Sequence, residues 1–440
     1  MEKFIMAGQL LLGLGLLVFI HELGHYLAAR AFGIRVEKFY IFFDFNGFKL
    51  FSKKIGDTEY GIGWFPLGGY VKIAGMIDES VDKEFLNRPP EPWEFRSKPA
   101  WQRFIVMIGG ITMNVLLGIL IFAFWLKVYK QGYVPVQEVN EGIYAYELAR
   151  EVGLQTGDRI IAINGKPVVR ASDLSSIKVF FGATLTVERG DKQLLIDLPD
   201  ELFTRFASAK DRFLSLENYL FQVDSILPES QAMTAGVLPN DRFIAVNETP
   251  VTSFGAFREL LLNHSEQEVN LTTLRNNDTV LLSANVAADG TLGFLASPAD
   301  NYQMPVKIYS TAEAFRFGTK DGFEAIYYNA VGLGKIFTGK VNASDSVQSP
   351  IGIAKIYGGK WDWGRFWYLT GLISFILAFM NILPIPALDG GHVVFIIIEV
   401  IQGKPVSEKV LERAQVVGMV LLLALMAYAF GNDIYKELFK

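Results

Sequence analysis

Apolar residues gather into four charge-free blocks, Phe4 to Ile20, Phe104 to Leu126, Phe366 to Leu388 and Ala414 to Asn432. Each approaches or exceeds the roughly 20 residues that a helix needs to cross the hydrocarbon core of a bilayer. The first is short, but its helical pattern continues through His21-Glu22-Leu23-Gly24-His25 to Ala28. No small-residue cleavage site follows it, which argues against a cleaved leader. The pattern predicts a polytopic α-helical membrane protein with four transmembrane helices, at 1–30, 104–126, 366–388 and 414–432.

The segments between these blocks have other periods. Within 31–103, the run from Tyr60 to Gly75 is Gly-rich and alternating, which predicts hairpin strands. Within 311–340, Phe323, Ile326, Tyr327, Ala330, Leu333 and Phe337 keep helical spacing. That amphipathic helix either packs on the neighbouring insert or lies at the membrane surface.

The insert contains a repeat. Gly153-Leu154-Gln155-Thr156-Gly157-Asp158-Arg159-Ile160-Ile161-Ala162-Ile163-Asn164-Gly165 recurs 83 residues later, without a gap, from Gly236 to Glu248. Each copy reads as a turn, a short strand, an Asn-containing turn, a second strand and a helix. The pattern resembles a pair of PDZ domains, at 132–215 and 216–300. The second copy departs from it, with Asn240 and Glu248 in place of two glycines.

Charge and composition narrow the function. Lys and Arg number 41 against 46 Asp and Glu, a net charge of −5, which excludes a general nucleic-acid binder. Hydrophobic residues make up 51% and charged residues 20%, which excludes a disordered chain. Arg30, Arg35 and Lys38 follow the first span, and Arg88, Arg96, Lys98 and Arg103 precede the second. The positive-inside rule then places 31–103 in the cytoplasm, with the insert and both termini outside. Cysteine is absent, so any metal site must use His, Asp or Glu, and there are only four histidines.

His21-Glu22-Leu23-Gly24-His25 puts two imidazoles on one helical face, where both can reach a zinc ion. Glu22 is placed to act as the base, and an ionisable group at membrane depth is costly enough to suggest a function. Zinc needs a third protein ligand. His264 lies in the second repeat, on the wrong side of the membrane. Asp389 is the better candidate, because spans one and three run in the same direction and bring it to the same face. His392, three residues on, is a second-rank ligand or a supporting group. Pro384 and Pro386 break the helix beside Asp389, and Asn381 either hydrogen-bonds a peptide backbone or makes a helix–helix contact.

Together, the membrane-embedded His-Glu-x-x-His, the Asn-x-x-Pro-x-Pro-x-Leu-Asp-Gly-Gly of 381–391 and the tandem repeats resemble the site-2 protease family of intramembrane zinc metalloproteases. The resemblance covers essentially the whole chain. It implies Zn²⁺ held by His21, His25 and Asp389, with Glu22 as catalytic base and Asn381, Pro384 and Pro386 against substrate. It also implies that a β-structure near Tyr70, Val71, Lys72 and Ile73 dips into the membrane and pairs with substrate. The implied substrate is the transmembrane segment of a single-span protein. A pre-trimmed anti-sigma factor in an envelope stress response fits this, as do remnant signal peptides. The implied location is the bacterial inner membrane, with the PDZ pair periplasmic and the active site toward the cytoplasm. The pair would either bind a ligand C-terminus or filter substrates by ectodomain size. The family's Gly-Pro-x-x-Asn in span two is altered here to Gly110-Ile111-Thr112-Met113-Asn114. The rival readings are a PDZ scaffold or a transporter without protease activity.

Overall fold

The computed structural model describes residues 1–44, 47–76, 89–139, 141–180, 182–199, 202, 213–216, 218–299, 305–339 and 349–439. Arg88 and the segment ends set at 300 and 340 lie outside the described residues. The chain divides into two compact units, residues 1–131 with 309–440, and residues 132–308.

The first unit is helical with one sheet. Its helices are α1 (Glu2–Ala31), α2 (Ala100–Val128), α3 (Thr311–Phe337), α4 (Pro350–Tyr357), α5 (Trp363–Ile382), α6 (Asp389–Gln402) and α7 (Glu408–Phe439). Among the described residues, α1, α2, α5 and the Lys409–Tyr435 stretch of α7 are long and apolar enough to cross a membrane. The protein is therefore a polytopic membrane protein that also contains β-sheet.

The third apolar block does not form one helix over 366–388. α5 stops at Ile382 and α6 begins at Asp389. Pro384 and Pro386 lack the N–H a continuing helix would need, and each pushes its preceding residue out of helical geometry. Ala387 then takes a φ of +79°. Charge-free length overestimates this helix because it ignores backbone chemistry. It underestimates α7, whose charged ends remain helical beyond 414–432.

The amphipathic segment packs along α2 and α5. Its glycines are the contact points: a Cβ at Gly318 would lie 2.9 Å from the Ala123 amide nitrogen, and one at Gly322 2.0 Å from the Phe375 ring. The helix starts with a capping box in which Ser310 and Glu313 bond reciprocally.

The sheet following α1 has strands β1 (Val36–Phe43), β2 (Lys49–Ile55), β3 (Thr58–Gly63) and β4 (Phe65–Ile73), in the order β2-β3-β1-β4. The alternating run is thus not a hairpin. β1 lies between β3, its parallel neighbour, and β4, its antiparallel neighbour. The hairpin is β2–β3. β4 is left as an edge strand. Ala74 N donates to Arg35 O at 3.0 Å, so alternation turns the Tyr70 and Lys72 amides toward β1. It turns the amides of Gly69, Val71 and Ile73 toward the open edge.

In the second unit the repeat becomes two four-stranded antiparallel sheets with the same strand order. One holds Lys192–Asp197, Thr184–Arg189, Arg159–Ile163 and Lys166–Pro167; the other holds Asp278–Asn285, Glu268–Arg275, Arg242–Val246 and Thr249–Pro250. The shared residues do the same work in each. Asp158 takes a bidentate pair from Arg189 at 2.7 Å and 2.7 Å, and Asp241 takes one from Arg275 at 2.8 Å and 2.7 Å. Asn164 and Asn247 each accept a backbone amide at 2.8 Å.

The two copies also touch. Tyr144 and Arg150 of the first hydrogen-bond Glu259 of the second, at 2.5 Å and 2.7 Å. Burial, and then the Glu259 carboxylate, pushes the Tyr144 phenol well above its usual range, so it stays a donor.

The lost glycines of copy two carry strain. Asn240 and Glu248 both sit at φ +68°, where copy one has Gly157 at +94° and Gly165 at +70°. Asn tolerates this region, but Glu pays about 1 kcal/mol. Glu248→Gly is therefore expected to stabilise the second copy by roughly 0.5–1 kcal/mol, read as a rise in its thermal unfolding midpoint. An unchanged midpoint would count against strain at this turn.

Candidate metal centre

α1 carries His21, Glu22 and His25 because an uninterrupted helix runs from Glu2 to Ala31. At i and i+4 both imidazoles emerge on the face that meets α2. The approach is close because the crossing is made of glycines. A Cβ on Gly24 would lie 2.3 Å from Gly109 O, and one on Gly109 2.7 Å from Gly24 O. Small residues let membrane helices pack backbone to backbone.

Asp389 arrives from the other side, at the first turn of α6. It does not cap that helix: the N-cap is Leu388, and no side chain caps it. The two glycines that follow are required by the loop. A Cβ at Gly390 would lie 2.3 Å from Leu383 O, and one at Gly391 2.5 Å from Ile385 O. α7 presses the same loop from outside, where a Cβ on Gly418 would overlap Pro386 O.

These elements bring three donor atoms together. His21 Nε2 and Asp389 Oδ2 are 3.2 Å apart, His25 Nε2 and Asp389 Oδ2 3.3 Å, and the two Nε2 atoms 3.2 Å. Two ligands at a tetrahedral angle, each about 2.0–2.1 Å from zinc, sit about 3.3 Å apart. The triangle therefore matches one face of a tetrahedral zinc site, leaving the fourth position for water. Asp389 Oδ2 is buried with no hydrogen-bond partner, which suits a ligand. His25 Nδ1 donates to Val106 O at 2.8 Å, so its Nε2 lone pair is free for a metal. Among the described residues, the only group of metal-capable side chains is His21, His25 and Asp389.

The other candidates fall as follows. His392 sits one turn along α6, outside that group. His264 bonds Leu260 O at 2.7 Å, at the end of its own helix. Asn381, Pro384 and Pro386 lie on the end of α5 and the loop leading to Asp389. Val71, on the open edge of β4, has its amide near the Glu22 carboxylate. Gly24, Gly109, Gly110, Gly418 and the Val106 carbonyl were missed by sequence reasoning. The paired glycines of span two were the one available signal.

Residues 9–425 match peptidase family M50. The chain belongs to that family. It is a zinc metalloprotease by this membership, and it aligns with its relatives over nearly their whole length. It is 30% identical to the regulator of sigma-E protease RseP of Escherichia coli (strain K12), over 96% of this chain and 97% of that protein. It is 28% identical to the regulator of sigma E protease of Haemophilus influenzae, over 98% of each. It is also 28% identical to a putative zinc metalloprotease of Vibrio cholerae, over 96% and 97%.

Proposed function

We propose that this M50 peptidase is an endopeptidase that cuts the transmembrane segment of single-span membrane proteins within the bilayer. The observation that carries the reading is the donor triangle, because its residues stand on a membrane-length helix and at the break after another. His21, His25 and Asp389 would hold the zinc ion, which supplies electrophilic polarisation of the scissile carbonyl and a lowered pKa for the attacking water. Glu22 takes the proton of that water and passes it to the leaving nitrogen. Asn381, Pro384 and Pro386 line the approach to Asp389 and hold substrate there.

The edge strand supports the handling of substrate. A transmembrane helix must unwind before cleavage, and the outward amides of β4 offer its backbone new partners. The Val71 amide on that edge lies near Glu22, which would set such a strand beside the base. The opposite edge strand β2, with its flanking turn, exposes Phe48 at 74%, Leu50 at 72%, Phe51 at 59% and Ile55 at 59%. Apolar exposure on this scale suits a sheet that dips into lipid. Val71→Pro is expected to lower cleavage about tenfold, the worth of about one hydrogen bond, with zinc retained. The outward amide makes no ladder bond, so proline there removes no hydrogen bond of the sheet. Unchanged cleavage would remove β4 from substrate handling.

The relatives named for sigma-E regulation support a regulatory substrate, a trimmed anti-sigma factor, with remnant signal peptides as a second class. The insert is a PDZ pair on this reading, supported by its two equally ordered sheets. It lies in the periplasm with both termini, and residues 31–103 face the cytoplasm, in the inner membrane.

The test is a purified, reconstituted protein given a single-span peptide. One zinc per chain and cleavage within the apolar segment, lost with a chelator and restored by zinc, would support the reading. A protein that binds zinc but cuts only soluble peptides would overturn it.

A further inference from the structure

Three positions on α2, Val106, Gly110 and Asn114, recur at a four-residue spacing and so share one face. That face lies against both imidazoles. His25 Nδ1 is held by the Val106 carbonyl at 2.8 Å. Gly110 leaves room for both rings: a Cβ there would lie 2.4 Å from His25 Nε2 and 2.6 Å from His21 Cε1. Asn114 completes the row, with its Nδ2 3.3 Å from His21 Nδ1.

The donor pattern at Asn114 conflicts with the metal site. If His21 offers the Nε2 lone pair to a metal, its proton resides on Nδ1. That N–H would then face the NH₂ of Asn114, donor against donor. Meanwhile Asn114 Oδ1 is buried with no partner, on a residue only 1% exposed. The O and N of a carboxamide have nearly the same shape, and only the hydrogen-bond network distinguishes them. Turning the amide over brings Oδ1 to His21 Nδ1–H. Of the two orientations, only the turned one is compatible with His21 as a ligand. The backbone here is fixed from the far side, where Ser374 Oγ on α5 donates to Asn114 O at 2.7 Å.

Resting on the metal-site reading above, we propose that Asn114 is the positioning residue of His21: its carboxamide oxygen accepts the Nδ1 proton and so aims Nε2 at the metal. α2 then orients both histidine ligands without supplying a ligand of its own, one through a main-chain carbonyl and one through a side chain.

The test uses the full-length protein in detergent, stripped of metal. Zn²⁺ is titrated against a chromophoric chelator, and Co²⁺ is added separately to read the visible spectrum of the site. Asn114→Leu keeps the size and removes the acceptor, so zinc affinity should fall roughly 10–100-fold, with an altered Co²⁺ spectrum. Asn114→Asp keeps an acceptor and removes the donor, so it should retain wild-type affinity. Equal affinity in Asn114→Leu and wild type would overturn the proposal. So would an Asp variant as weak as the Leu variant, which would show that the donor matters instead. Where Asn114→Leu fails to fold, Asn114→Asp decides alone: retained affinity supports the acceptor role and lost affinity overturns it. Failure of the metal site itself looks different, since wild type would then hold no zinc that His25→Ala loses.

Discussion

Glu22→Gln is expected to reduce cleavage by roughly 10²–10⁴-fold, the usual worth of a general base, while zinc content stays at the wild-type level. The change is nearly isosteric, and Glu22 is not one of the three converging donors, so the triangle of His21, His25 and Asp389 is untouched. What is lost is the ability to take a proton from water. The residue is buried on a helix that packs against α2 and the sheet. A carboxylate there must be matched by a nearby positive charge or be neutral, and a metal ion held by the converging donors would supply that charge. Zinc quantified by mass spectrometry beside a cleavage assay on one preparation checks both halves. A variant that cleaves normally would remove Glu22 from the chemistry. A variant that loses zinc would make Glu22 part of the coordination instead.

Gly110→Ala is expected to weaken zinc binding by about 10–100-fold and reduce activity with it. The added methyl would enter the space of both imidazoles, 2.4 Å from His25 Nε2 and 2.8 Å from His21 Nδ1. Neither ring can retreat, because α1 and α2 already touch at Gly24 and Gly109. Relief must come from moving a ligand or parting the helices, and forced overpacking of this kind costs about 1–3 kcal/mol. Gly8→Ala on α1 is the matched control. Nothing lies within 4 Å of its added Cβ, so affinity should stay at the wild-type value. Zinc competition measurements on the three proteins decide the matter. Equal affinity in Gly110→Ala would mean that the helices separate freely at this crossing.

Much of this protein is determined by local sequence. Four spans follow from the absence of charge over membrane-scale lengths, since a buried charge in lipid is penalised wherever it falls. His21 and His25 share a face because helical period is a backbone property, and the repeat gives two sheets of one order because similar turn and strand signals are read twice. The break beside Asp389 follows from Pro384 and Pro386, although the end of α5 at Ile382 depends on each proline restricting the residue before it. Tertiary structure decided the rest. β1 lies between β3 and β4, although nothing in an alternating run says which strand will be its neighbour. The amphipathic helix lies along α2 and α5 because Gly318 and Gly322 fit against Phe122, Ala123 and Phe375, partners that are distant in the chain. The donor triangle closes through Gly24, Gly109 and Gly110, whose function is the absence of a side chain. A missing atom leaves no periodicity to read. Its meaning is set by what another helix brings into the empty space.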